Sequence, residues 1–230
     1  MSKTVIITQS NYIPWKGYFD ALNYADEFIL FDEMQYTRRD WRNRNKIVTE
    51  GGVKWISIPV LVKGKYHQSI NKTRVSDSRW GIKHWSMIKA NYSRAPFFKV
   101  YKDVFQELYL NNPEVFLSKI NEKFIVAINQ ILRISTKISR CEDYQLVDGN
   151  TERLVDLCLK ARATEYLTGP MAKAYLDESL FSKAGISVHW LDYSGYPEYP
   201  QVYGEFEHGV TILDLLFNTG PDAREYMKSF

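Results

Sequence analysis

Four stretches of the chain combine residue types and spacings that suit chemistry. The first is Gln9-Ser10-Asn11-Tyr12-Ile13-Pro14-Trp15-Lys16-Gly17. Amide side chains such as Gln9 and Asn11 orient a sugar or stabilise an oxyanion. Trp15 adds an aromatic face. Gly17, near the start of a helix, would let a ligand approach the backbone N–H groups that bind phosphate there. The structural alternative is a Pro-Trp turn whose aromatics enter the core. The second stretch runs from Gln35 and Tyr36 through Arg38-Arg39-Asp40-Trp41-Arg42-Asn43-Arg44-Asn45-Lys46. The guanidinium forks of Arg39, Arg42 and Arg44 match phosphate and carboxylate geometry. Asn43 adds a neutral donor and acceptor, and Trp41 or Tyr36 can stack on a base or sugar. The third stretch, residues 80–98, sets His84, Ile88, Asn91 and Tyr92 on one helical face. His84 is a candidate general base with positive neighbours, or a satisfied structural histidine. Asp32, closing an apolar run, is the other candidate proton acceptor. In the fourth stretch Asp214 lies inside an apolar helical pattern, where an unpaired carboxylate is costly. It pairs with an arginine of the 38–44 cluster or faces solvent.

Charge is distributed unevenly around these residues. The net charge is only +3, but residues 36–102 hold sixteen Lys and Arg against three Asp and Glu. The functional reading is a surface for a phosphorylated ligand or polyanion; the structural one is pairing with the acidic remainder. Basic and aromatic residues together also suit single-stranded nucleic acid. No nucleic-acid motif accompanies them, so a small anionic ligand is the expected partner. Two cysteines, Cys141 and Cys158, exclude a disulfide framework and a four-cysteine zinc site. The four histidines are far apart and give no metal site local support. Hydrophobic residues at 45% and charged residues at 25% exclude a disordered chain. No apolar run approaches the roughly 18 residues of a membrane span, and no signal-peptide pattern opens the chain. The expectation is a cytoplasmic protein.

The elements that must position these residues are α/β in pattern. Thr4 to Thr8 reads as a buried strand, residues 15–24 as a helix, and residues 26–32 as a second strand. That β-loop-α-β unit places Gln9, Asn11 and Gly17 and the end of strand two at one sheet edge, where ligands of open α/β sheets bind. Residues 35–46 read as a loop, 55–60 as a strand ending near Pro59, and 70–75 as another short strand. Three helices follow, over 80–91, 97–110 and 113–132. Strands at 136–140, 164–168 and 186–191 then alternate with helices at 151–159 and 173–183, and 211–217 closes the pattern as a short helix. The alternation predicts one α/β domain over residues 1–230. It has a mostly parallel sheet, a Rossmann-like or nucleotidyltransferase-like start, and a helical portion near 80–132. In nucleotidyltransferase-type starts histidines stand where this chain has Trp15 and Tyr18, which argues against adenylylation.

The chain resembles the WbqC-like family of bacterial proteins. The resemblance is carried by QSNYIPWKGYFDAL, ADEFILFDEMQYTRRDWRNRNKI and WISIPV. It continues through WGIKHWSMIKANYSRAPFF, YLTGPMAKAYLD and YPQVYGEFEHGVTILDLLFNTG. These run in order over nearly the whole chain. Ser10 departs from the family, which usually has proline there. The resemblance implies a task in building O-antigen lipopolysaccharide or another surface polysaccharide. That task is modification of a nucleotide-linked amino sugar, as by N-acyl or aminoacyl transfer from an acyl donor. In that reading the arginines hold the pyrophosphate, Trp41 or Tyr36 stacks on base or sugar, and His84 or Asp32 takes a proton from the attacking amine. The alternatives are an ATP-dependent ligase, a nucleotidyltransferase-like enzyme, or a non-catalytic protein binding a nucleotide sugar or nucleic acid. Nothing in the sequence fixes the sugar, the donor, a cofactor or the oligomeric state.

Overall fold

The first strand alternates its side chains between two interiors. In the computed structural model, which describes residues 2–230, β1 (Thr4–Thr8) sends Val5 and Ile7 into one apolar cluster and Ile6 into another. This is the period-two geometry of a strand covered on both faces. β2 (Glu27–Leu30) does the same, with Phe28 and Leu30 on one side and Ile29 on the other.

Five strands form one sheet. β1 and β2 pair with β5 (Lys137–Arg140), β6 (Glu165–Thr168) and β7 (Ser187–Trp190) in the order β5-β2-β1-β6-β7. Every pairing is parallel, with Ile6 opposite Phe28 on one side and Leu167 on the other. The chain therefore builds outward from β1 in one direction, then returns to build outward in the other. That reversal falls between β1 and β6, and it opens a crevice at the carboxyl ends of both strands.

One face carries α1 (Lys16–Asn23), α2 (Trp80–Tyr92), α3 (Phe98–Leu110), α4 (Leu117–Leu132) and α7 (Ile212–Thr219). The other carries α5 (Thr151–Lys160) and α6 (Glu178–Lys183), with Leu157, Cys158 and Phe181 against Val5, Ile29 and Tyr166. Both cysteines are free and buried, and burial pushes their thiols up to about 12. No helix among the described residues is long and apolar enough to cross a membrane.

Three segments differ from expectation. The polar run 35–46 is not all loop. β3 (Arg44–Thr49) pairs antiparallel with β4 (Gly52–Ser57), with Ile47 buried against the helical side. Charged residues on its open face hid this strand. The expected strand over 70–75 is instead a 3-10 turn, Ile70–Lys72, with single bridges from Val75 to Val60 and Arg74 to Phe116. The expected helix over 173–183 is split into a 3-10 turn, Pro170–Ala174, and α6, which is capped by the Asp177 side chain.

Candidate functional site

Within the loop after β1, alternate residues have opposite tasks. Ser10 and Tyr12 point inward and are fully buried. The Ser10 amide donates to the Asp32 carboxylate at 2.7 Å, and Asn121 Nδ2 donates to Ser10 Oγ at 3.0 Å. The Tyr12 amide donates to the Trp41 carbonyl at 3.0 Å, tying the loop to the arginine segment. Asn45 Nδ2 donates to the carbonyls of Tyr12 and Ile13 at 3.1 and 2.8 Å. Ile13 has φ 38°, costly for a β-branched residue, and these bonds hold it there. With its inward residues fixed, the loop turns Gln9 and Asn11 toward the crevice.

The crevice is a cleft of about 750 Å³. Its floor is the ends of β1 and β6, Thr8 and Thr168. Gly149, Asn150 and Arg153 bring the start of α5 to one side. Trp15, Trp41, Arg42 and Tyr193 form another wall, and Met171 and Tyr175 stand exposed at the rim. The charged residues that line it are two arginines, Arg42 and Arg153, with no carboxylate among the described lining residues. Arg42 donates to Asn11 Oδ1 and lies 3.7 Å from Asp40. Arg153 donates to the Val147 carbonyl at 2.7 Å, and its other end lies 3.8 Å from the fully exposed Asp148. Neither guanidinium forms an ion pair within 4 Å with a buried carboxylate, although Arg42 is near enough to the buried Asp32 to act on its charge. Because Asn11 Oδ1 is occupied by Arg42, its Nδ2 group is left as a donor toward the cleft.

A second compartment of about 600 Å³ joins the first across Asn11, Trp15, Trp41 and Tyr193. Pro14, Asn45, Tyr196, His208 and Gly209 complete it. Its surface is largely aromatic and backbone.

Of the residues expected from sequence, Gln9, Asn11, Trp15, Trp41 and Arg42 therefore come together. The others are placed elsewhere. Asp32 does not line the cleft; it lies beneath the loop, 2% exposed, as acceptor for Ser10. Burial pushes its carboxyl up to about 6 against the Ser10 hydrogen bonds and the Arg42 charge. His84 is also buried behind the loop. Its Nε2 donates to the Ser57 carbonyl at 3.1 Å, so Nδ1 is the acceptor for the Tyr12 hydroxyl at 2.8 Å. Burial lowers its pKa to about 4, which keeps it neutral. Both ring nitrogens are used inside the protein, so the base role expected for it does not fit this placement.

Gly17 serves packing, since a Cβ there would come within 2.3 Å of the Trp15 ring. Tyr36 is buried, and Gln35 donates to the Tyr66 carbonyl at 2.9 Å. Arg44 lies over the Trp55 ring at 4.0 Å and donates to the carbonyl of the exposed Arg39. Asn43 donates to the Ile58 carbonyl at 2.8 Å. The buried Tyr92 hydroxyl accepts the Val48 amide at 2.9 Å. Asp214 neither pairs with an arginine nor faces solvent; it is buried and accepts from Tyr199 and Gln201, each at 2.8 Å. Sequence reasoning missed Arg153, Thr168, Tyr175 and Tyr193. The Thr168-Gly169-Pro170 turn and the cap before α5 were visible, but only the strand order brings them beside β1.

Together these features define a doubly wound α/β protein with an arginine-bearing, aromatic-walled cleft at its topological switch point. The chain belongs to the WbqC-like protein family, whose family model matches residues 9–226. An uncharacterized protein of Mycobacterium tuberculosis, Rv1507c, is 49% identical over 226 residues, which cover 98% of each chain. No solved structure matches.

Proposed function

We propose that the protein is a transferase that modifies a nucleotide-linked amino sugar, by N-acyl or aminoacyl transfer, in building a bacterial surface polysaccharide. The observation that carries this reading is the presence of Arg42 and Arg153 in one cleft with no carboxylate among its described lining residues, at the switch point of the sheet. Two guanidiniums suit a diphosphate, and the aromatic walls suit a base and a sugar. Gln9 and the free amide of Asn11 supply neutral hydrogen bonds of the kind that orient sugar hydroxyls. A cleft of about 750 Å³ suits a small ligand, and the acidic residues beyond position 102 would repel a long polyanion.

Titration calorimetry with UDP-linked amino sugars tests the reading. Arg42→Ala and Arg153→Ala should each weaken binding by tenfold or more, since hydrogen bonds to charged groups are worth roughly 1.5–3 kcal/mol. Arg44→Ala should leave affinity unchanged, because Arg44 is outside the cleft. Equal affinity in the Arg42 and Arg153 variants would refute the diphosphate site. Tight binding of oligonucleotides with a steep salt dependence would favour the nucleic-acid alternative.

A further inference from the structure

Transfer of an acyl group to an amine needs a proton acceptor, and neither His84 nor Asp32 reaches the cleft. Among the described residues lining the two compartments there is no aspartate, glutamate, cysteine or lysine. Arginine does not give up its proton in proteins. The remaining side chain with a nitrogen able to accept a proton is the imidazole of His208, in the wall of the second compartment. We propose that His208 takes the proton from the sugar amine and that the second compartment receives the acyl group. This inference rests on the nucleotide amino sugar reading above.

The placement of His208 is built, not incidental. Its ring stands edge-on to Phe206, with centroids 4.5 Å apart. The Gln201 amide holds the flanking chain, donating to the Glu207 carbonyl at 3.0 Å and accepting the Glu207 amide at 2.9 Å. Gln201 is itself fixed by the buried Asp214. His208 Nδ1 is buried and has no hydrogen-bond partner among the described residues. That atom is closed off from the open compartment, so the ring nitrogen that can meet a ligand amine is Nε2, which is neither hydrogen-bonded nor fully buried among the described residues. The charged groups nearest this turn are Glu207, whose carboxylate accepts the Gly209 amide at 2.7 Å, and Lys46, whose ammonium lies beyond Gly209. Lys16, the buried amine close by, is engaged elsewhere. It donates to the Pro197 carbonyl at 2.6 Å and sits over the Tyr196, Tyr199 and Phe206 rings.

The chemistry balances with an acyl thioester as donor. The amine nitrogen attacks the acyl carbon, a C–N bond forms, and the carbonyl electrons move onto oxygen. Asn11 Nδ2, at the wall shared by the two compartments, is the donor available to that oxyanion. His208 accepts the nitrogen's proton. The C–S bond then breaks, and sulfur leaves with the proton returned by His208, giving an amide and a thiol. An uncharged acyl group suits walls made of Trp41, Tyr193 and Tyr196.

The histidine ring signals of the full-length protein, assigned with His208→Asn, test this directly. UDP and UDP-glucosamine are the probes, with binding followed in parallel by calorimetry. UDP-glucosamine should shift the His208 signal, whereas UDP should bind and leave it in place. His208→Asn should keep the UDP affinity and lose about tenfold for UDP-glucosamine. If UDP-glucosamine binds in an Arg42-dependent manner without moving the His208 signal, this proposal fails while the function stands. If neither probe binds, both fail. Should His208→Asn not fold, assignment by backbone spectra keeps the ligand titration of the unmodified protein decisive.

Discussion

At the scale of the residue, Asp32 shows how a side chain can serve a site without facing it. Its carboxylate accepts the Ser10 amide, a bond that proline at position 10 could not make. Ser10 therefore changes more than loop stiffness, because it gives a buried acid a backbone partner. The acid is still strained electrostatically, with burial pushing it up to about 6. A folded pKa above the unfolded value of about 3.9 means that the native state binds the proton more tightly. That contribution to stability is complete below the unfolded pKa and is lost as pH rises through about 6. Asp32→Asn keeps an acceptor oxygen and removes the titration. Urea unfolding of both proteins at pH 4 and pH 7 should show the variant gaining on the parent by about 2 kcal/mol over that interval, most of the value of a shift of about two pKa units. A gap that does not change with pH would mean that Asp32 has the same pKa in the folded and unfolded states. Glu27 contrasts with it. Lys3, Ser139, Tyr144 and Lys137 hold this carboxyl down to about 2 against its burial, so its contribution is lost only as pH falls toward that value.

At the scale of the element, two glycines on helices separate packing from function. Gly81 lies in the first turn of α2, where a Cβ would meet the Tyr109 carbonyl of α3 at 2.0 Å. Backbone cannot move aside as a side-chain tip can. Gly81→Ala should cost about 1–3 kcal/mol in urea unfolding and leave nucleotide-sugar affinity unchanged, because α2 does not line the cleft. Gly17 is the opposite case. Its neighbour is the Trp15 ring, which can swing, and that ring is a wall of both compartments. Gly17→Ala should cost less stability than Gly81→Ala and more affinity, with a change in tryptophan fluorescence. The same contrast explains what the sequence made legible. The strands TVIIT and EFIL and the stripe of α4 carry their own periodicity, and the Gln9–Trp15 loop follows from them. Gly17 read as room for a ligand because the space around a glycine is set by where its neighbour's ring folds back. His84 read as a base because of its positive neighbours, with a structural histidine as the alternative, and the partners that decide between them, Ser57 and Tyr12, come from distant segments. Arg153 lay in an ordinary amphipathic helix, and only the return of the chain to β6 brings it to the crevice.

At the scale of the whole molecule, the end of the chain fastens the wall of the second compartment. Asp20 of α1 is buried, and its carboxylate accepts the Lys228 and Ser229 amides as well as the Ser229 hydroxyl. Lys228 Nζ then donates to the carbonyls of Asp192 and Ser194, each at 3.0 Å. Tyr193 to Tyr196, which belong to the compartment, are thereby clamped between α1 and the last residues of the chain. Hydrogen bonds to a charged acceptor are worth roughly 1.5–3 kcal/mol each, and these share one carboxylate, so they do not add fully. Asp20→Ala should lower stability by about 3 kcal/mol. Deleting residues 228–230 should cost a similar amount in the parent and little more in Asp20→Ala, because each change removes the same contact. Unfolding experiments on the four proteins of this cycle give the coupling directly, and purely additive losses would show that the tail and Asp20 act independently. The cleft should follow the clamp unequally. UDP binding depends on Arg42 and Arg153, which the loop after β1 and the start of α5 position, so it should survive both changes. The second compartment has the clamped segment as one of its walls, so discrimination of UDP-glucosamine from UDP should be lost with either change.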